Sequence, residues 1–396
     1  SRGAQWGDAA ASSEQSDGGF MDINEVIIWI LMICMVAGGI DRAIGNKIGL
    51  GEEFEEGFNA LGSLGLAMVG IISLAPVLEK LLLPVIGPLY KAVGADPAMF
   101  AGTLLANDMG GWALAERLTD NADAQNLSGL ILGAMMGATI VFTIPVSLSI
   151  IKEEDRPYLA KGVLAGIIAI PVGVLVGGLV AGMEFGFVLI NVVPIIIVAA
   201  LIALGLWIAP EKMTTGFLWF GKGLVFVITV GLIIATFVEV TGVQIMPAGW
   251  ELTSPMEGIE VIGSIALVLL GAFPAVALIV KYAAKPLTSI GKFLGMNEVA
   301  AGGMIASLAN NIPMFQLFKD MDPRGKVLNA AFAVPGAFIL GDHLGFTAGI
   351  RREMIFPMIS GKFVAAVLAV GIAILIFGRS LGAASDDSPE TAAQEA

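Results

Sequence analysis

The sequence predicts an all-α polytopic membrane protein. Three observations lead there. Of 396 residues, 57% are hydrophobic and only 14% are charged, against about 25% charged in an ordinary soluble domain. Several apolar runs approach or reach the ~20 residues that cross a hydrocarbon core as a helix. The alternating strand pattern of a membrane barrel is missing. The expected architecture has about nine spanning helices plus two broken or re-entrant segments, or about eleven spans if those segments cross fully.

Residues 1–20 are polar and rich in Gly, Ser and Asp. They read as a disordered or expression-derived segment, with Met21 as the first native residue. No basic stretch precedes the first apolar run, so a cleaved signal peptide is not expected. The first span is about residues 26–44. Asp41 and Arg42 close it, an adjacent pair that suits an interface better than a site. Glu52, Glu53, Glu55 and Glu56 precede the second span, 57–78. A helix dipole favours carboxylates at its N-terminus; a cation-collecting vestibule is the functional alternative. Residues 79–98 read as a Pro- and Lys-bearing connection.

Residues 99–112, MFAGTLLANDMGGW, form the first interrupted segment, followed by a polar loop over 116–126. Spans are expected at 127–151 and 158–181, joined by the charged loop 152–156. Another covers 186–208, with Asn191 and Pro194 as a kink and Pro210-Glu211-Lys212 ending it. Residues 222–238 lead into a Gly/Pro-rich loop, 241–257. A span over 258–281, a second interrupted segment over 299–318, and spans over 327–350 and 355–377 complete the membrane domain. Residues 21–381 therefore read as a single transmembrane transporter domain. The tail 382–396 is acidic, rich in small residues and reads as disordered.

An internal repeat relates 57–182 to 258–378. Gly57-Phe-Asn-Ala-Leu-Gly62-Ser63-Leu matches Gly258-Ile-Glu-Val-Ile-Gly263-Ser264-Ile. Gly70 falls on Gly271 and Gly94 on Gly295. After a two-residue slip Asn107 falls on Asn310 and Asp108 on Asn311; one more places Gly137 on Gly341 and Phe142 on Phe346. Re-entrant segments would make the copies inverted, and full crossings would make them parallel. The spread of Lys and Arg over the loops does not separate these. Re-entry is favoured, because a polar doublet beside Gly-Gly or Pro permits a chain reversal. Such backbone is tolerated at depth only where it is buried in protein or lines a wet cavity.

The candidate site grows from these interruptions. Asn107 and Asp108 are followed by Gly110-Gly111, and Asn310 and Asn311 by Pro313. An Asp at the centre of a spanning helix costs about 3 kcal/mol on insertion. A pair of Gly/Pro-interrupted segments in corresponding halves points to a transporter's binding site; the plain alternative is two kinked helices whose amides bond their neighbours. Asp108 leads. Ionised, it needs a partner, and neither interrupted core holds Lys or Arg, so a bound organic cation would supply one. Substrate binding and Asp108 ionisation are then coupled. A hydrogen-bonded structural acid is the other reading. Asn107, Asn310 and Asn311 each offer two donors and an acceptor, for an alcohol or a cation stripped of water, or as links between segment tips.

Asp342 and His343 lie in Leu-Gly-Asp-His-Leu-Gly-Phe, where the first copy has Ala138 and Thr139. An Asp-His dyad in a membrane is a candidate cation ligand or proton relay, or a dyad bonded only within the protein. Trp112 offers a π-face to an ammonium, or packs as core. The two interrupted segments are expected as broken helices meeting near the midplane about a two-fold axis. Asp342 and His343 are expected to face their cavity.

Net charge is −13, which argues against a nucleic-acid partner, since that demands clustered Lys and Arg. It suits a cationic substrate, although acidic loops are usually a solvated surface. Cys34 and His343 are the only residues of their types. An internal disulfide and a zinc centre of the usual kind are excluded. No metal, cofactor or catalytic constellation is expected; the lipid bilayer is the surrounding partner.

Longer strings carry a resemblance: Phe54-Glu-Glu-Gly-Phe58, Leu64-Gly-Leu-Ala-Met-Val-Gly70, Met99-Phe-Ala-Gly-Thr-Leu-Leu-Ala106, Asp108-Met-Gly-Gly111, Pro210-Glu-Lys-Met213, Leu308-Ala-Asn-Asn-Ile-Pro-Met-Phe315, Arg324-Gly-Lys-Val327 and Leu340-Gly-Asp-His-Leu-Gly-Phe346. In this order, from Met21 to about Ile376, the chain resembles the ethanolamine permeases of bacterial ethanolamine-utilisation systems. The resemblance implies a multi-pass protein of the bacterial inner membrane. It would pass ethanolamine into the cell, through a midplane site between the repeats, to feed a cobalamin-dependent lyase pathway. Ethanolamine at neutral pH is mostly a small ammonium bearing one hydroxyl, which a buried carboxylate and several amides suit. A cation-coupled transporter or channel for another small amine is the alternative. An intramembrane aspartyl protease using Asp108 and Asp342 is a remote one, which the repeat and the polar doublets fit poorly. Facilitated diffusion, proton coupling and exchange all stay open, as does the oligomeric state.

Overall fold

A computed structural model describes residues 22–381. The expectations for residues 1–20 and 382–396, and for Met21 as a start, lie outside the described residues. Among the described residues, eight helices are long and apolar enough to cross a membrane. Their outer faces present large apolar side chains such as Trp29, Leu66, Trp207 and Leu375, as a lipid-facing surface requires.

Helix α1 spans Ile23–Ala43 and α2 spans Leu50–Ala92. The turn between them is held by Asp41, whose carboxylate accepts the N–H groups of Ile48, Leu50 and Gly51 at 2.9–3.1 Å. Asp41 therefore serves the orphan donors of a helix start, and Arg42 pairs with exposed Glu55 at 3.3 Å. The stretch 79–98, expected as a connection, is largely a continuation of α2. Pro76, Pro84 and Pro88 lie inside that helix; prolines are tolerated in membrane helices where neighbours re-satisfy the backbone.

The first interrupted segment is a broken helix, α3 (Met99–Leu104) and α4 (Gly111–Leu118), around a 3-10 turn at Asn107–Met109. Helix α5, Ala122–Ile150, follows. Much of it is π-helical, over Leu127–Gly137 and again over Thr139–Thr143. Local π geometry often marks a functional region. The π stretch Leu127–Gly137 is fully buried and packs against α3. Helices α6 (Arg156–Val180), α7 (Phe185–Ile208) and α8 (Pro210–Thr241) complete this part. Asn191, read as a kink, is a link: its Oδ1 accepts the Asp96 N–H at 2.7 Å and its Nδ2 donates to Phe187 O.

Helix α9 spans Pro255–Phe293. A second broken helix follows, α10 (Glu298–Ala309) and α11 (Asn311–Leu317). The expected span 327–350 is not continuous. It is split into α12 (Pro323–Gly336) and α13 (Asp342–Ile350) by a turn over 337–341. Helix α14, Ile355–Leu381, ends the described chain.

Glycines let α2 and α9 approach closely, as small residues do in membrane interfaces. A Cβ on Gly57 would lie 2.4 Å from Leu269 O, and one on Gly258 would lie 3.0 Å from Val69 Cα. The start of each helix thus meets the middle of the other, so the two run antiparallel. Helices α6 and α14 do likewise: Gly173 faces Gly361 O and Gly177 faces Pro357 O.

A buried ion pair ties α12 to the turn before α6. Lys326 donates to Asp155, with the Tyr158 ring 5.7 Å from its ammonium. Removing one partner of such a pair strands the other charge, a loss of about 3–5 kcal/mol. Asp155→Ala is therefore expected to lower the thermal midpoint in detergent by several degrees, read by a fluorescence melting scan. An unchanged midpoint would mean that Lys326 finds water.

Candidate functional site

The site is built on broken backbone. Helix α3 stops where Leu105 (φ −119°, ψ 138°) and Ala106 (φ −64°, ψ 151°) turn extended. Ala106 O then accepts from Met109 and Gly111, at 3.0 and 2.8 Å. Gly110 sits at φ 95°, and a Cβ there would lie 2.3 Å from Ile71 Cγ1. Only glycine satisfies both conditions. Leu105 O, freed by the break, rests against Gly137 of the π-helical span, 1.9 Å from where a Cβ would stand.

The second break has the same device. Gly341 lies against Ala309 O, with its hypothetical Cβ 2.1 Å away. The carbonyls of Ser307 and Leu308 lose their helical donors at the break and accept instead from Phe338 and Leu340, each at 3.0 Å. The turn over 337–341 is therefore the hydrogen-bonding complement of the break in α10. Phe338 adopts φ 62° within it, a left-handed conformation costing roughly 1–2 kcal/mol for a residue with a Cβ.

These breaks gather three predicted residues around one small cavity of about 30 Å³, lined by Asp108, Asp342, His343, Ala138, Phe142 and Phe338. Asp108 and His343 are buried and Asp342 is half-buried. The two carboxylates lie within electrostatic reach of each other. Phe338 packs edge-on against Phe142, centroids 5.4 Å apart, and tilts over the His343 ring at 5.0 Å. The volume admits one or two water-sized groups.

The expectation that Asp108 has no fixed cation needs correction. Lys362, from α14, is fully buried. Its Nζ donates to Ala134 O in the π-helix and stands 3.1 Å from His343 Nδ1. Its charge and that of Asp108 act on each other. Sequence reading passed over this residue. The signal was there: a lysine seven positions into the apolar span 355–377, and an ionisable residue inside a span is a functional candidate by default.

The amides divide. Asn107 is 1% exposed and neither its Nδ2 nor its Oδ1 has a partner. Asn311 donates from Nδ2 to Thr143 Oγ1 at 3.0 Å, while its Oδ1 has no partner. Asn310 caps α11, its Oδ1 accepting from Ile312 N at 2.8 Å. Asn107 also lines a second cavity of about 140 Å³, with Trp112, Glu116, Arg117, Glu257 and Phe346. Arg117 donates to Thr253 at its wall, at 3.2 Å. Trp112 carries the Arg351 guanidinium over its ring, 5.8 Å from the centroid, so that face is already engaged by a protein cation.

The fold and these cavities define a multi-pass helical membrane protein with a charged site at broken helices. The chain belongs to a family described as "Ethanolamine utilisation protein, EutH", whose profile matches residues 23–376. It is 60% identical to the "Probable ethanolamine permease EutH" of Listeria monocytogenes over 362 residues, covering 91% of this chain and 96% of the relative. The protein of that name from Escherichia coli is 50% identical, over 90% and 96% of the two chains. The "Uncharacterized protein YxeR" of Bacillus subtilis is 46% identical, over 89% and 95%. No solved structure matches the chain.

Proposed function

We propose that this protein is an ethanolamine permease of the bacterial inner membrane, and that Asn107, Asp108, Asp342 and His343 hold the substrate between two inverted copies of one repeat. Its relatives' names support transport of ethanolamine rather than catalysis, and the protease alternative is set aside. Inverted copies are supported by the antiparallel packing of α2 on α9 and of α6 on α14. They are supported again by Gly137 and Gly341, each seating the last carbonyls of a broken helix. Acidic groups stand near both cavities. Glu56 exerts its charge on Asp342, and Glu116 and Glu257 line the larger cavity.

The observation that carries the reading is Asn107. Buried polar groups are nearly always hydrogen-bonded, and this amide is unpartnered beside a buried carboxylate. An amide for a hydroxyl and a carboxylate for an ammonium match the two ends of ethanolamine. The small inner cavity must widen to hold four heavy atoms, as alternating access would require.

Asn107→Ala separates a binding role from a structural one. One lost hydrogen bond of about 0.5–1.5 kcal/mol weakens affinity about two- to ten-fold. Thermal stability should hold or rise, because no protein partner is stranded. Uptake of labelled ethanolamine into proteoliposomes at varied concentration, beside a melting scan, reads both. Lower stability with unaltered affinity would make Asn107 structural. Counterflow against a panel of amines tests the substrate: ethylamine, lacking the hydroxyl, should compete several-fold less well than ethanolamine. Equal competition by all small amines would favour a general amine carrier.

A further inference from the structure

Ethanolamine recognition gives Lys362 no task. An ammonium inside the hydrocarbon region is expensive and persists only with partners. Lys362 has Ala134 O, His343 Nδ1 and the charge of Asp108. Of the helices packed on its own, α6 carries Arg156, Tyr158 and Lys161 and α12 carries Arg324 and Lys326, but Lys161 and Arg324 meet the far end of α14, at Phe377 and Gly378, and Lys326 pairs with Asp155. The titratable groups that act on Lys362 are His343 and Asp108, and Asp342 lines one cavity with both.

This geometry can hold a proton in two ways. A charged Lys362 has no lone pair, so His343 Nδ1 accepts and the ring carries its proton on Nε2. A neutral Lys362 can accept instead, with His343 donating from Nδ1. Without substrate, the lysine is the cation that acts on Asp108, and Asp108 in turn acts on Asp342. A substrate ammonium brings a second positive charge to the same carboxylates in a medium of low dielectric, where like charges repel strongly.

We propose that Lys362 is the resident counter-cation of the site and yields one proton for each ammonium bound, so that the permease exchanges ammonium for H⁺ and moves no net charge. The inference rests on the permease reading and names its coupling. In the step, an Nζ–H bond of Lys362 breaks and the electron pair stays on Nζ. The proton passes to His343 Nδ1 as the ring releases its Nε2 proton to water. After the ammonium leaves on the inner side, Nζ is reprotonated by the reverse path from that side. The return of the charged lysine and its loss of a proton outside complete one exchange.

The test is uptake of labelled ethanolamine into proteoliposomes at equal acidic pH on both sides, with the potential set by a potassium gradient and valinomycin. An ammonium uniporter would accumulate substrate about fifty-fold more at 100 mV, inside negative. Wild-type accumulation is expected to change less than two-fold. Lys362→Arg keeps a cation that does not deprotonate in proteins. It should cut uptake at least ten-fold while the protein stays monodisperse on size exclusion. Lys362→Met removes the resident charge, and its residual uptake should follow the potential. Wild-type accumulation that tracks the potential overturns the exchange and leaves the permease reading standing. So does wild-type uptake by Lys362→Arg. Absence of saturable uptake by the wild type overturns both.

Discussion

Asp108→Asn is expected to reduce saturable ethanolamine uptake at acidic pH by about 100-fold or more. Loss of one partner from a buried, hydrogen-bonded charge pair costs about 2–5 kcal/mol, or roughly 30- to 5,000-fold. The substitution keeps size and hydrogen-bonding capacity and removes only the charge. Asp108 stands at the turn between the two cavities, where its neighbour Asn107 lines one and its own side chain the other. It is also the acid whose charge Lys362 faces. Asp342→Asn should do less, because Asp342 is half-buried and keeps more access to water. At alkaline pH the difference from wild type should shrink, since the neutral amine then crosses lipid directly. Matched protein content and monodispersity are needed to attribute the loss to the site. Wild-type uptake by Asp108→Asn at acidic pH would make this carboxylate structural and move the ammonium site to Asp342.

The interrupted helices were legible because their chemistry is local. A polar doublet beside Gly-Gly or Pro cannot continue a membrane helix without help, and both breaks fall within a residue or two of the doublets. The split in 327–350 was not legible. Its cause lies in the orphan carbonyls of Ser307 and Leu308, which only tertiary structure brings to Phe338 and Leu340. Pro84 and Pro88 suggested a connection, yet α2 runs through both, as membrane helices can. Lys362 was missed for a related reason. The interrupted segments hold no cation for Asp108, and the structure supplies one from a helix some 250 residues away. Residue type alone also could not divide the asparagines. Asn310 spends its oxygen on a cap while Asn107 spends nothing, and that difference depends on which way the chain turns after each.

Gly137→Ala and Gly341→Ala should each abolish transport, while Gly62→Ala and Gly263→Ala should leave it intact. All four are glycines that the repeat pairs, and all four changes add one methyl. The spaces differ. A Cβ on Gly137 would stand 1.9 Å from Leu105 O, and one on Gly341 2.1 Å from Ala309 O; at Gly62 and Gly263 nothing lies within 4 Å. Those two carbonyls are backbone atoms at broken ends, so relief requires moving the extended residues that carry Asn107 and Asp108, or Asn310 and Asn311. Overpacking of this kind typically costs 1–3 kcal/mol, and rigid backbone on both sides puts it at the upper end. A displacement of about 1 Å at a substrate site can by itself cost about 100-fold in rate. In Gly62→Ala and Gly263→Ala the methyl meets open space, and Ala is the better helix former by up to about 1 kcal/mol, so stability should hold or rise. Melting scans and uptake assays on the four variants give the result directly. Full activity in Gly137→Ala or Gly341→Ala would mean that the broken ends slide freely against their neighbouring spans. Damage from Gly62→Ala and Gly263→Ala equal to that of the other two would trace the loss to helix flexibility rather than to the seats of the two carbonyls.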